Sequence, residues 1–284
     1  MYTVPRVKER YQDIEEKNEA LRDILASKKV ASQDFLEKFE MSWVYHDNAL
    51  EGVVYTGQEL MAALRPGAIA AEASLMPIVL EIRNHKSCLE YLREEARTVN
   101  KKAGGISMTQ VRRIHDLLAG NTPEAQAARA AAERRERSEK ELAKERERAG
   151  LRKDMPLHRT YFHEIAQPAK ILPMLEKLID FTATAEFREQ HPILQSARVQ
   201  HQFIQIFPFA EHSGKVGRML SNLILLRSQM FPSVIHSIDR QKYYEAFRGT
   251  VGSFSNLMMD AMENSLDNAL KYFRDDARKY KAVN

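Results

Sequence analysis

Apolar side chains punctuate the chain at helical intervals almost from its start. Across residues 6 to 30, Val7, Tyr11, Ile14, Leu21 and Leu25 are spaced by three, four or seven, with charged and amide residues between them. Such a stripe predicts an amphipathic helix whose role is packing. A second helical stretch runs from Asp34 to Asn48 and stops near Gly52; Thr56 followed by Glu59 has the form of a capping box that opens the next helix. Residues 70 to 99 continue the helical pattern. Ser107 then stands before Val111, Ile114, Leu117 and Leu118 as the cap of a helix that ends at Gly120. Residues 151 to 167 follow no clean period and suit a short hairpin or a loop, whereas Pro173, Leu175, Leu178, Ile179 and Phe181 mark another helix. His191-Pro192 opens a helix in which Ile193, Ala197, His201 and Ile204 form one face, with Pro at its favoured first position. After Phe207-Pro208-Phe209 and a short polar loop, Leu220, Leu223, Ile224 and Leu226 belong to a helix apolar enough for the deep core.

Composition agrees with a mainly helical class. In 284 residues there are only 11 Gly and 10 Pro, too few for the many tight turns of a sandwich or barrel. The single Cys88 excludes a disulfide framework and a Cys-rich zinc site, and suits a reducing cytoplasm. The 43 basic and 39 acidic residues nearly cancel, to a net charge of +4, so a nucleic-acid surface is not implied. The first residues lack the apolar core of a signal peptide. The most apolar window, Ala62 to Ile82, is broken by Arg65, Pro66, Glu72, Pro77 and Glu81, short of the roughly 18 apolar residues that a span needs. A soluble, cytoplasmic protein without membrane partners is expected. Residues 133 to 148 are almost unbroken Glu, Lys and Arg, which suits a solvated helix or a flexible excursion, with partner recognition as the alternative.

The loop between the two most apolar helices carries the chemistry. A Gly-containing segment that feeds a helix N-terminus presents free N–H groups and the positive end of the helix dipole, and so suits an anion. Lys215 and Arg218 add charge along the first turn, and phosphate is the natural ligand; Glu211 stands where a carboxylate can hold a Mg²⁺ that bridges phosphates. The residue types alone are weak evidence, because Gly, Lys and Arg are common at a helix start and an ordinary interhelical turn is the more usual reading. His201 has the spacing of a core position, and His158 and His163 show no zinc-ligand spacing.

The segment Phe207-Pro208-Phe209-Ala210-Glu211-His212-Ser213-Gly214-Lys215-Val216-Gly217-Arg218 resembles the signature of the Fic (Fido) family, His-Pro-Phe-x-Asp/Glu-Gly-Asn-Gly-Arg-x-x-Arg. The helices on either side, the segment 167–175 and the segment 239–246 resemble that family too. The resemblance implies an all-α Fic fold with an N-terminal helical extension and a short β-hairpin flap. It divides the chain into an N-terminal helical region (1–100), a Fic core (101–260, with the charged excursion at 133–148) and a C-terminal helix (261–284). The usual reaction of the family moves AMP from ATP to a protein Ser, Thr or Tyr hydroxyl. By that resemblance Glu211 matches the metal ligand, Ser213, Gly214 and Lys215 the phosphate cradle, and Arg218 the arginine for the γ-phosphate, with ATP and Mg²⁺ as cofactors.

Departures from the signature matter as much. The family's catalytic histidine is Phe207, which cannot accept the target hydroxyl's proton, a contribution typically worth about 10²–10⁴ in rate. His212 and Ser213 replace the first glycine and the asparagine, and Lys215 lacks the guanidinium fork. His212, five positions past Phe207, is expected to point elsewhere rather than replace the base. Asp47-Asn48-Ala49-Leu50-Glu51-Gly52 resembles the family's inhibitory motif, Ser/Thr-x-x-x-Glu-Gly/Asn, with Asp47 in place of Ser/Thr. Glu51 is therefore expected to meet Arg218. The expectation is a catalytically impaired adenylyltransferase relative that binds a nucleotide or a protein partner, a homodimer among the partners the resemblance allows. The alternatives are a working noncanonical nucleotidyl- or phospho-transferase and a structural interaction module without nucleotide.

Overall fold

A computed structural model describes residues 7–64, 73–98, 105–120, 150–156 and 164–283. The described residues form helices and turns with no strand. In order they are α1 (Val7–Ser27), α2 (Lys29–Leu50), α3 (Gly57–Leu64), α4 (Met76–Thr98), α5 (Met108–Leu118), α6 (Ile171–Thr182), α7 (Ala185–Arg188), α8 (Pro192–Ile206), α9 (Ser213–Arg227), α10 (Arg240–Ala246) and α11 (Val251–Val283). The β-hairpin expected within 151–167 falls largely on residues 157–163, outside the described ones; its described flanks are turn and coil. The charged run 133–148, with His158 and His163, also lies outside them.

The local signals act as their chemistry dictates. Thr56 N–H donates to Glu59 Oε2 at 2.7 Å and Glu59 N–H to Thr56 Oγ1 at 3.2 Å, which closes the capping box of α3. Ser107 and Gln110 exchange the same pair of bonds at the start of α5. His191 Nδ1 accepts from Ile193 N–H at 3.2 Å and so caps α8, with Pro192 at its first position. Gly52 closes α2 with φ of +91°, a backbone conformation that glycine takes without strain. Two boundaries differ from the pattern. The first helix stops at Ser27, because Lys28 leaves helical geometry, and α2 begins at once at Lys29 rather than at Asp34. The C-terminal helix starts at Val251, so residues 260 and 261 lie within one continuous element.

Two apolar clusters hold the fold, and α8 and α9 serve both. One cluster gathers α4, α5 and α6 around Val199, Phe203, Leu220 and Leu223; the other gathers α1, α10 and α11 around Ile193, Ala197, Ile204 and Leu225. Nearly all of α9 is buried, as befits a helix apolar on every side. It lies close against α8. A Cβ on Gly217 would approach Ile204 Cδ1 to 3.2 Å, and Ser196 Oγ bonds the Ser221 carbonyl at 2.9 Å. This pairing sets the loop from Phe207 to His212 between two buried, closely packed helices. His201, 4 % exposed, is a satisfied core residue whose Nε2 donates to the Gly249 carbonyl at 3.2 Å.

Candidate functional site

The loop is built from its own backbone. Phe207 ends α8 with φ of +48°, and its ring is 2 % exposed within the core. Its carbonyl accepts Arg152 Nε at 2.6 Å, while Arg152 N–H donates to the Pro208 carbonyl at 2.8 Å. Arg152 Nη2 also donates to the Ala166 carbonyl. Burial draws the pKa of this guanidinium down from its ordinary value. Arg152 thus ties three segments together at the signature loop. Sequence reasoning missed it, since an arginine just after a run of Glu, Lys and Arg looks like more of the run. Ser213 Oγ accepts from Phe209 N–H and donates to the Phe209 carbonyl, both at 2.8 Å. Its hydroxyl is spent on the loop, and only its backbone is left for a ligand.

The turn into α9 places Gly214 and Lys215 in the first turn, after His212 at φ of +64°. A Cβ on Gly214 would stand 2.0 Å from Glu51 Oε1, so the Glu51 carboxylate lies directly against the Cα of Gly214. At the same time Glu51 Oε1 receives Arg218 Nη2 at 2.8 Å. The expected meeting of Glu51 with Arg218 is therefore present in the structure. The Glu51 carboxylate thus lies at the N-terminal turn of α9, where the helix dipole favours a negative charge.

Arg218 is 4 % exposed and satisfied on every side. Its Nε pairs with Asp47 Oδ1, Nη2 also donates to the Asp47 carbonyl at 3.0 Å, and Nη1 donates to Tyr243 Oη at 3.1 Å. Gln200 Nε2 donates to the same phenol at 3.1 Å. Burial works against the charge of Arg218, and Asp47 and Glu51 more than restore it, which holds its pKa well above the ordinary value. Asp47, the departure from Ser/Thr in the inhibitory motif, is 3 % exposed and thus gives Arg218 a second carboxylate. Behind it, His85 Nε2 stands 3.3 Å from Asp47 Oδ2, and Asn48 Nδ2 donates to His85 Nδ1 at 3.1 Å. That bond makes Nδ1 the acceptor and places the proton of a neutral ring on Nε2, facing Asp47. Burial, with Lys215 and Arg218 nearby, keeps His85 neutral by lowering its pKa well below the usual value.

Lys215 is paired in the same way. Its Nζ, in a residue 4 % exposed, donates to Glu81 Oε1 at 3.0 Å. Burial opposes ionisation of Glu81, but Lys215 prevails and leaves its pKa below the ordinary value. Glu81 and His85 lie four apart on α4, one turn of one face, a spacing that the signature loop alone gives no reason to examine. Glu211 is exposed at the loop surface. Among the described residues no group of three or more His, Cys, Asp or Glu is arranged to hold a metal ion by itself. His115, on α5, stacks flat on Phe209 with ring centroids 3.9 Å apart, and His212 lies 6.4 Å from it; burial lowers the pKa of both imidazoles.

The sequence pattern of the Fic/DOC family matches residues 105–225, a span that contains α5, α8, the loop and nearly all of α9. Residues 105–225 carry a Fic/DOC family segment. The chain is 22% identical over 271 residues to Protein adenylyltransferase Fic of Nematostella vectensis, an alignment covering 93% of this chain and 57% of that protein. It is 31% identical over 81 residues to Protein adenylyltransferase Fic of Aedes aegypti, 27% of this chain and 16% of that protein. The chain thus spans little more than half of the first of these relatives and much less of the second. The Fic fold extends through the N-terminal helices and α11. Fic-1 (residues 134–508) of C. elegans superposes with a TM-score of 0.71 at 16% identity, covering 95% of this chain and 73% of that one. A Fic domain containing signaling protein of Bacteroides thetaiotaomicron also gives 0.71, at 20% identity, covering 94% and 98%. No helix among the described residues is long and apolar enough to cross a membrane.

Proposed function

We propose that this Fic protein derives from protein adenylyltransferases, that it has lost most or all AMP transfer, and that it works by binding a nucleotide or a protein partner. The observation that carries this reading is the closed state of the cradle: Arg218 is shared by Asp47 and Glu51, Lys215 by Glu81, and Glu51 lies against Gly214. Phe207 adds to it. A ring buried at the position of the general base has no lone pair to take a proton.

ATP with Mg²⁺ fits these residues once Glu51 moves away, since the donor set left behind is one that binds anions. Glu211 would then hold the metal, the backbone of Ser213 and Gly214 with Lys215 would hold phosphates, and Arg218 would take the terminal one. Bound there, Mg²⁺ would neutralise phosphate charge. Orientation would fall to the α9 N-terminus and Arg218. In our reading the N-terminal helices are part of the same unit, because α2 and its cap residue Glu51 supply the two carboxylates on Arg218 and α4 supplies Glu81 on Lys215.

Transfer from α-labelled ATP and thermal stability with ATP and Mg²⁺ test this reading together. No label should reach protein, and ATP should raise the melting temperature more in Glu51→Gly than in the unaltered chain. Label transfer that Arg218→Ala abolishes would show a working transferase. A melting temperature unmoved by ATP in both proteins would point to an interaction module without nucleotide.

A further inference from the structure

The two cations of the cradle are held by carboxylates of unequal freedom. Lys215 stands in the first turn of α9, and Glu81 reaches it from α4 with a side chain 36% exposed. A carboxylate so open to water gains little from its pair and can turn out into solvent, which leaves Lys215 to a ligand. Arg218 lies nearly one turn further along α9, and its partner Asp47 is a buried residue inside α2. Asp47 is held from several sides. Its carboxylate receives Arg218 Nε, its carbonyl receives Arg218 Nη2 at 3.0 Å, and His85 Nε2 stands 3.3 Å from its second oxygen, Oδ2. It has no way out to water such as Glu51 has at the helix end.

Every nitrogen of Arg218 is therefore engaged even without Glu51. Asp47 takes Nε and Nη2, and the Tyr243 phenol takes Nη1. Departure of Glu51 returns a single bond, on Nη2. The guanidinium fork that grips a phosphate with two parallel bonds is already closed on Asp47. A phosphate brought to Arg218 would also set its charge beside a buried carboxylate, where water screens the repulsion poorly. The first turn of α9 carries no such fixed anion, because both carboxylates that reach it, Glu51 and Glu81, are partly exposed.

We propose that Asp47 sets the specificity of the cradle, which takes a nucleoside diphosphate in preference to a triphosphate. The backbone N–H groups of Ser213 and Gly214 hold one phosphate, Lys215 holds the other, and Asp47 turns a third away from Arg218. This preference rests on the nucleotide reading and narrows it. Glu51 must leave Gly214 for either ligand, so its cost cancels when the two are compared.

Calorimetric titration of the full chain with ADP, ATP and AMP, each with Mg²⁺, measures the preference in the unaltered protein and in Glu51→Gly, where the cradle is open. ADP should bind roughly ten-fold tighter than ATP or AMP in both. Asp47→Ser added to Glu51→Gly should bring ATP ahead of ADP. Asp47→Asn in the same background keeps the size of the side chain and removes its charge; it should shrink the ADP preference several-fold, and it serves where the serine variant loses its helical circular dichroism. ATP bound as tightly as ADP in Glu51→Gly, AMP bound as tightly as ADP, or an ADP preference untouched by the Asp47 variants would each overturn the proposal and leave nucleotide binding standing. Absence of binding by all three nucleotides in all of these proteins would overturn the nucleotide reading itself, and the preference with it.

Discussion

Arg218 sits between two carboxylates that differ in burial, and that difference ranks them. Asp47 is buried as deeply as the guanidinium, whereas the Glu51 side chain is 18% exposed. Removing one partner of a buried ion pair costs roughly 3–5 kcal/mol, and less where that partner keeps some contact with water. Asp47→Ala should therefore cost about 3–5 kcal/mol in urea denaturation, and Glu51→Gly clearly less; equal losses would contradict the ranking. The same geometry limits what Glu51→Gly can release, because Asp47 keeps Nε and Nη2 engaged. The ATP-induced rise in melting temperature should thus be larger in Asp47→Ser with Glu51→Gly than in Glu51→Gly alone. At the base position, Phe207→His by itself should restore no label transfer, since the two carboxylates remain in place.

Among the elements, α5 shows how a local signal serves the site. Ser107 closes a capping box that starts the helix, and α5 brings His115 flat against Phe209 of the signature loop. Ser107→Ala should cost about 1 kcal/mol, as an N-cap loss usually does, and a melting curve would show it. Most helices were legible because a capped amphipathic stripe states both its start and its buried face: α5, α8 and the capping box of α3 read directly. The break at Lys28 was not, since no Gly or Pro marks it. Within the site, Glu51 and Arg218 were legible through motifs, because each sits at a fixed place in a recognised string. Arg152, Glu81, His85 and the charge of Asp47 toward Arg218 were not, because their meaning arises only when α4, α2 and the segment after Gly150 converge. A tertiary ion pair leaves no periodic trace in either of its strings.

For the whole molecule, the histidines set the response to acid. His46, stacked on His236, has its pKa lowered to about 4 by burial and by that second ring, and burial lowers His85, His115, His191, His201 and His212 as well. A base whose folded pKa is depressed binds its proton better unfolded, so its contribution is intact above about 6.5 and is lost as pH falls below that, for His46 down to about 4. Glu81, whose folded pKa lies below 4.5, loses its own contribution as pH falls further, in the same direction. The denaturation midpoint should be lower at pH 5 than at pH 7.5, with part of the difference removed in His46→Gln; a midpoint that rose on acidification would refute it. The pairing of α1 with α11 bears on how the chain is made. Ile14 and Leu21 are buried in one cluster with Phe254 and Met258, and Arg10 and Lys17 reach Glu263 and Asp267. At ordinary elongation rates, roughly 10–50 s separate the synthesis of these two helices. During that interval the greasy side of α1 waits on the ribosome with its mate still unwritten, an invitation to a holding chaperone.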